Sequence, residues 1–378
     1  MTAWRLLADT GVGAAEGLAC DEALTAGYGR DLAPKSPTLR LYTYRSHCAL
    51  VGRYQHLEAE VDLGACERTG TQVNRRPTGG GAIVMGAGQL GVAVATRAPA
   101  EERPRDLLQR FSEGIVAGLE RVGVTARFRG KNDLEVGGRK IAGLGLYLDG
   151  SGGLLFHSSV LADLDVAFML EVLRIPAAKL GDRAVASVGE RVTTVTRETG
   201  VPWDGSTLAA EVAAGFASAL GIDLEPGELT GAERELTDRL VAERYGTSGW
   251  MHEYSPRSDA TATATARLGV GLVRLYVALN GDTIKSLLFT GDFNAVPAPL
   301  VAVEEALRWK RMDRPVVDGA VRRCLSGHPE IGSPDTVVDA ILQAGARLSA
   351  PPVAAPVRDG SCYFPEQDTS LREAAARS

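Results

Sequence analysis

Arg75-Arg76-Pro77-Thr78-Gly79-Gly80-Gly81-Ala82 is the stretch on which the reading of this chain turns. Three consecutive glycines are costly in conformational entropy. They fit a place where the backbone passes close to a ligand and offers it bare N–H groups. Strand-like runs, Ala82–Met85 and Leu90–Ala95, follow. The two arginines upstream can take a carboxylate or phosphate in fork geometry. A site for an anionic or nucleotide-linked ligand is one reading. A tight hairpin or bulge with solvated arginines is the other, and local physics does not separate them.

A second segment runs Lys131-Asn132-Asp133-Leu134-Glu135-Val136-Gly137-Gly138-Arg139-Lys140-Ile141-Ala142-Gly143. It opens a β-meander: a strand over 132–136, a Gly137-Gly138 turn that tolerates positive φ, a return strand over 139–148, a turn at 149–153 and a third strand over 154–161. Alternation sets Asn132, Leu134 and Val136 on one face and Asp133 and Glu135 on the other. Lys140, just before small residues, can reach across a pocket to an acyl carboxylate and a phosphate and stabilise charge developing there. An exposed hairpin lysine is the alternative. Lysine occurs at only six positions among 41 basic residues, so arginine is the default cation and a lysine here is slightly more informative.

Outward from these segments, strands are expected at 4–9 and 38–44, where Leu39, Leu41 and Thr43 alternate with Arg40, Tyr42 and Tyr44. Helices are expected over 13–28, 104–122, 206–221 and 230–245, the last opened by the capping-box spacing of Thr230 and Glu233. Residues 258–266, rich in Ser, Ala and Thr, read as a connector. Beyond it comes a hairpin of 268–279 and 282–291 across Asn280-Gly281. Helices near 300–311, 317–325 and 334–346 follow, the last with Ser333 at N-cap and Pro334 at N1. The expected organisation is an α/β (α+β) chain: a mixed-sheet domain over 1–257, the connector 258–266, a small α+β domain over 267–348 and a tail over 349–378.

The bulk numbers bound the function. Hydrophobic residues make up 45% and charged residues 23%, the composition of an ordinary globular protein. A net charge of −6 argues against a nucleic-acid partner. No run reaches about 18 apolar residues and the first residues lack a signal-peptide pattern, so a cytoplasmic protein without a membrane span is expected. Cys20, Cys48, Cys66, Cys324 and Cys362 are scattered without metal or CxxC spacing, as expected for free thiols in a reducing compartment.

Taken together, the RRPTGGGAI run of 75–83 and the Asn132-Asp133 and Gly138-Arg139-Lys140-Ile141-Ala142-Gly143 elements resemble the paired signatures of the lipoate–protein ligase family. Asp21-Glu22-Ala23-Leu24, Pro37–Tyr42, Val51-Gly52-Arg53-Tyr54-Gln55, Phe156–Leu161 and Glu243-Arg244-Tyr245 with Trp250 match other family elements in order. Phe289-Thr290-Gly291-Asp292-Phe293 matches its small accessory domain. The resemblance covers about 1–348. It implies a biotin/lipoate-ligase fold and a two-step reaction, in which ATP and lipoate give lipoyl-AMP, normally with Mg²⁺. The acyl group then passes to a lysine of a lipoyl domain of a 2-oxoacid dehydrogenase E2 subunit or of the glycine-cleavage H protein, with the enzyme acting as a monomer. By position, Lys140 matches the lysine that contacts the acyl-adenylate. Arg76, Thr78, Gly79, Gly80, Gly81 and Ala82 match the loop around the adenylate and acyl chain. Asn132 and Asp133 match the nucleotide side, with Asp133 toward the metal; Gly143 and His157 match the pocket wall.

Three departures fall around that pocket. Val84-Met85-Gly86 stands where an aromatic residue and His-Asp are usual, Leu144 where serine is, and Ser158 where glycine is. Two other readings stay open: an octanoyl or lipoyl transferase without ATP, and a non-catalytic binding relative. The transferase needs a nucleophilic cysteine near the acyl site. No cysteine lies between Cys66 and Cys324, which leaves distant Cys362 as its one candidate. The biotin ligase loop is absent.

Overall fold

The computed structural model describes residues 2–29, 36–99, 101–129, 132–174, 188–256, 262–293 and 297–346. The tail from 349, with Cys362, lies outside them, as does the first part of the expected connector.

The chain opens with strand β1 (Thr2–Val12) and helix α1 (Ala14–Gly29), then β2 (Thr38–Tyr44), β3 (Cys48–Val51), β4 (Gln72–Arg75), β5 (Ile83–Met85) and β6 (Gln89–Arg97). Helix α2 (Pro104–Arg121) starts on a proline at its first turn, where the missing N–H costs nothing. Its Leu107, Phe111, Ile115 and Leu119 fall on one buried face. Strands β7 (Arg127–Arg129), β8 (Asp133–Val136), β9 (Arg139–Leu148) and β10 (Gly153–Leu161) form the meander. Its tightest turn needs glycine: Gly137 and Gly138 have φ of 56° and 79°. Helix α3 (Gly205–Leu220) and helix α4 (Gly231–Leu240) each begin with a capping box, Asp204 with Thr207 and Thr230 with Glu233. Between them lies β11 (Ile222–Pro226).

The large sheet has eight strands in the order β11-β1-β2-β6-β10-β9-β8-β7. β1 runs parallel to β2 and β11, and the rest are antiparallel. On one face α2 and α3 bury the main core around Phe111, Phe156 and Phe216. On the other, α1 lies against Tyr42, Tyr44, Ala93 and Leu155, and the short sheet β4-β3-β5 packs beside it. Both faces of β2 are therefore covered and all seven of its residues are buried. This is the mixed α/β architecture expected from the sequence.

Strands β12 (Ala262–Leu268), β13 (Gly271–Asn280) and β14 (Thr283–Gly291) form a separate antiparallel sheet. Helices α5 (Ala298–Leu307), α6 (Arg314–Leu325) and α7 (Pro334–Ala346) cover it around a core that includes Val277, Leu300, Val303, Val321 and Ile341. Two expectations change here. Residues 262–266 read as part of a connector but form most of β12. Ala262 and Ala264 are buried while Thr263 and Thr265 are half-buried, a period-two pattern that small residues disguise as low complexity. The helix expected near 300–311 ends at Leu307. Trp309 N–H donates to Ile284 O at 2.7 Å and Ile284 N–H donates to Lys310 O at 2.8 Å, so the chain is drawn onto the edge of β14 instead. Among the described residues, no helix is long and apolar enough to cross a membrane.

Candidate active site

The glycine loop leaves β4 at Arg75. Arg75 is fully buried and donates to the carbonyls of Gly52, Arg53, Gln55, Trp250 and Met251 at 2.7–3.1 Å. Burial away from water pulls its guanidinium down to about 10. Trp250 Nε1–H returns a bond to Arg75 O at 2.9 Å. Arg75, read from the sequence as a candidate anion binder, thus ties three chain segments together. Arg76 does line the cavity, with its guanidinium turned onto the loop: it donates to Leu50 O at 2.6 Å, Gly79 O at 3.2 Å and Gly81 O at 2.8 Å. Gly80 takes φ of 89°. A methyl group at Gly52 would sit 1.9 Å from Gly80 O, so the two backbones meet where only glycine fits. Thr78 is buried, with its carbonyl accepting from Arg53 N–H at 2.8 Å.

Across the cavity, β8 and β9 carry the cation. A register shift between Leu134 and Glu135 sets Asp133 opposite Gly143 and Glu135 opposite Lys140. Lys140 Nζ lies 2.7 Å from Asp133 Oδ1, both side chains about one-third exposed. The strand is fixed from its other edge: Lys140 N–H donates to Arg191 O and Thr193 N–H donates to Lys140 O, each at 2.8 Å. A methyl group at Gly143 would lie 3.1 Å from Lys140 Nζ, so the lysine side chain runs over a glycine floor. Asn132 pairs with Leu144 through its backbone at 2.8 Å and its side-chain amide at 3.2 Å.

On β10, His157 faces Gly145 across the sheet, and a methyl group there would overlap Nε2 at 2.2 Å. Burial, reinforced by the positive field of Arg76, drives the imidazole down to about 3, so it is neutral. Of the three departures, Leu144 belongs to the main core and pairs with Ser158 across β9 and β10. Val84 and Met85 are buried on β5 and line the cavity, which measures about 360 Å³.

Further residues join the site that were not named as site residues, Asp21 and Asp292 having been matched only as parts of family elements. Asp21, in the middle of α1, borders the cavity, accepts from Arg40 at 2.7 Å and accepts from the Tyr42 hydroxyl at 2.9 Å. Burial raises its carboxyl against the pull of Arg40. A signal was present: adjacent Asp21 and Glu22 interrupt an otherwise apolar helix, and Arg40 and Tyr42 alternate on the next strand. Leu18, Tyr44, Leu50 and Leu155 add apolar wall, and Val270, Gly271 and Asp292 reach the cavity from the second sheet unit. Among the described residues no cysteine borders it.

A glycine loop, a lysine–carboxylate pair and an apolar wall around one cavity define a class: enzymes that hold the acyl group of a carboxylic acid beside a cationic side chain. Residues 14–217 match the lipoyl protein ligase A/B catalytic domain, and the chain belongs to that family. It is 33% identical over 275 residues to an octanoyltransferase LipM from Symbiobacterium thermophilum, covering 66% of this chain and 98% of the relative. It also resembles the bipartite lipoate protein ligase of Thermoplasma acidophilum, solved with its E2 lipoyl domain, at 28% identity and a TM-score of 0.60, over 68% of this chain and 99% of the other. The fold of Plasmodium falciparum LipL1, solved with lipoate, aligns with 90% of this chain and 99% of its own at a TM-score of 0.64 and 15% identity.

Proposed function

We propose that this enzyme activates lipoate, or a medium-chain acid of similar length, as its acyl-adenylate and transfers the acyl group to a lysine of a lipoyl-domain or H-protein acceptor. The observation that carries the reading is the cavity itself: Lys140, Asp133 and the glycine loop border it, and no cysteine does among the described residues. A thioester route needs a thiolate at the acyl carbon. An adenylate route needs a fixed cation beside the carboxylate and phosphate oxygens.

In the first step a carboxylate oxygen of the acid attacks the α-phosphorus of ATP, and the bond to pyrophosphate breaks. Lys140, held by Asp133, stabilises charge on the oxygens between acid and phosphorus. Gly79–Gly81 present backbone to the reacting groups, braced by Arg76. The acyl chain lies along the apolar wall. His157, being neutral, adds no competing cation. In the second step the acceptor amine attacks the acyl carbonyl, the amide forms, and AMP leaves as the amine sheds its proton.

The donor set suits Mg²⁺ carried in by a nucleotide. Among the described residues no cluster of three or more His, Cys, Asp or Glu side chains is set to hold a metal unaided. Mg²⁺ is commonly bound by one or two carboxylates plus substrate phosphates and water. Asp133 would supply the carboxylate, and the ion would offset phosphate charge.

The transferase reading is favoured about as well by the comparisons: two relatives at 33% identity, from Symbiobacterium thermophilum and Kyrpidia tusciae, are both named octanoyltransferases, as are others at 25–27%. ATP–pyrophosphate exchange with lipoate, octanoate, biotin and no acid separates the two. Exchange dependent on lipoate or octanoate is expected. Its absence with every acid would sink the ligase reading, and thioester trapping on Cys362 would then test the transferase.

A further inference from the structure

The second sheet unit meets the glycine loop and the neighbouring segment 54–55 through three consecutive residues at the end of β14. Gly291 N–H donates to Tyr54 O at 2.9 Å, Asp292 Oδ1 accepts from Gln55 Nε2 at 2.8 Å, and Phe293 O accepts from Gly80 N–H at 3.3 Å. Gln55 Oε1 in turn accepts from Gly52 N–H at 2.9 Å, and Gly52 is the residue whose α-carbon abuts Gly80 O. The Phe293 ring packs against Tyr54 with centroids 5.8 Å apart. Asp292 also borders the cavity. An unbroken set of contacts therefore runs from the Asp292 carboxylate through the Gln55 amide and the Gly52 backbone to the central glycine of the loop.

We propose that Asp292 is a positioning residue: with Gln55 it forms a latch by which the second sheet unit holds Gly79–Gly81 in their ligand-facing conformation. The carboxylate fits this role physically. It is half-buried at the cavity edge; its desolvation raises its carboxyl, while Arg274, Gln55, Arg76 and Arg267 oppose that rise. Its amide donor is screened from water, so that donor is held by the carboxylate and not by solvent. Gln55 is itself 1% exposed. Glycine adopts the φ of 89° at Gly80 as readily as other values, so what fixes the loop's conformation is its contacts, the close approach to Gly52 among them. The latch rests on the contacts alone, and it serves the acyl cavity whether the chemistry is adenylation or acyl transfer.

The test uses amide hydrogen exchange of the full chain, a readout that needs no substrate. Asp292→Ala is expected to speed exchange at Gly79–Gly81 by about tenfold, while amides in the middle of β13 and β14 keep their wild-type rates. Asp292→Asn keeps an oxygen acceptor for Gln55 and is expected to restore most of the protection. Gln55→Ala is expected to match Asp292→Ala, and the double variant to be no worse than either single one. Unchanged exchange at Gly79–Gly81 in Asp292→Ala would overturn the proposal. So would equal acceleration throughout β13 and β14, which marks general loosening of the unit, or additive effects in the double variant. A failure of pyrophosphate exchange in the wild type bears only on the ligase reading and leaves these outcomes as they stand.

Discussion

Two side chains on the cavity wall make opposite electrostatic statements, and each can be read alone. Lys140 Nζ is paired with Asp133 Oδ1, over a glycine that leaves its side chain room. Removing one preorganised cation of this kind costs about 10²–10³ in rate. Lys140→Ala is therefore expected to lower acid-dependent pyrophosphate exchange by at least that factor while circular dichroism and the unfolding midpoint stay near wild type. Retained exchange in the folded variant would remove Lys140 from the chemistry. His157 is held neutral by burial, at about 3 against an ordinary value near 6.5. In the unfolded chain the ring takes a proton near pH 6.5; in the folded chain it does not until about 3. Lowering the pH through this window therefore favours the unfolded state, and the penalty is absent above pH 6.5. Stability is expected to fall between pH 6.5 and about 4 by up to about 1.4 kcal/mol per pH unit more in wild type than in His157→Gln. Equal urea-unfolding slopes with pH in the two proteins would show that the ring titrates freely. The sequence marked both residues, because each sits at a family motif. Asp21 was legible only as part of a family element and not as a site residue, because its role depends on Arg40 and Tyr42 meeting it from another strand.

Elements were legible where period and punctuation agreed. The amphipathic spacing of α2, the Gly137-Gly138 turn and the Thr230–Glu233 capping box each gave an element of the right type and place. β12 was lost because alanine and threonine carry little hydrophobic contrast, so the alternation shows only once β13 is beside it. The short strands β3 and β4 have four residues each, too few for a period, and take their shape from pairing with each other. The early end of α5 has the same kind of cause, since backbone bonds to β14 outweigh local helix preference across 308–311. Those bonds force Trp309, 57% exposed, to φ of 62°, the one positive φ outside glycine among the described residues. A side chain in the left-handed region costs roughly 1–2 kcal/mol. Trp309→Gly is thus expected to be more stable than Trp309→Ala by about 1 kcal/mol, reversing the usual advantage of alanine over glycine. Chemical denaturation of the two variants measures the difference, and the ordinary order would mean that the backbone relaxes once the ring is gone.

At the scale of the molecule, separate cores converge on one cavity, and the four cysteines among the described residues stay out of it. Burial raises the thiols of Cys20 and Cys48 to about 12 and that of Cys66 to about 11. At pH 7.5 roughly one thiol in a thousand or fewer is then a thiolate at each, and the thiolate is the reactive form. This is the chemistry of packing residues, and it gives the choice between ligase and transferase a test on the intact chain. Iodoacetamide at pH 7.5 is expected to leave acyl transfer to a lipoyl-domain acceptor near its untreated rate, with alkylation mapped by mass spectrometry to the half-buried Cys324 and not to the three buried thiols. Loss of activity that tracks alkylation of one cysteine, and that octanoate prevents, would mean that a thiol meets the acyl group during turnover. The lysine–aspartate pair would then be serving a thioester reaction, and the cysteine that carries it would be the one named by the modified peptide.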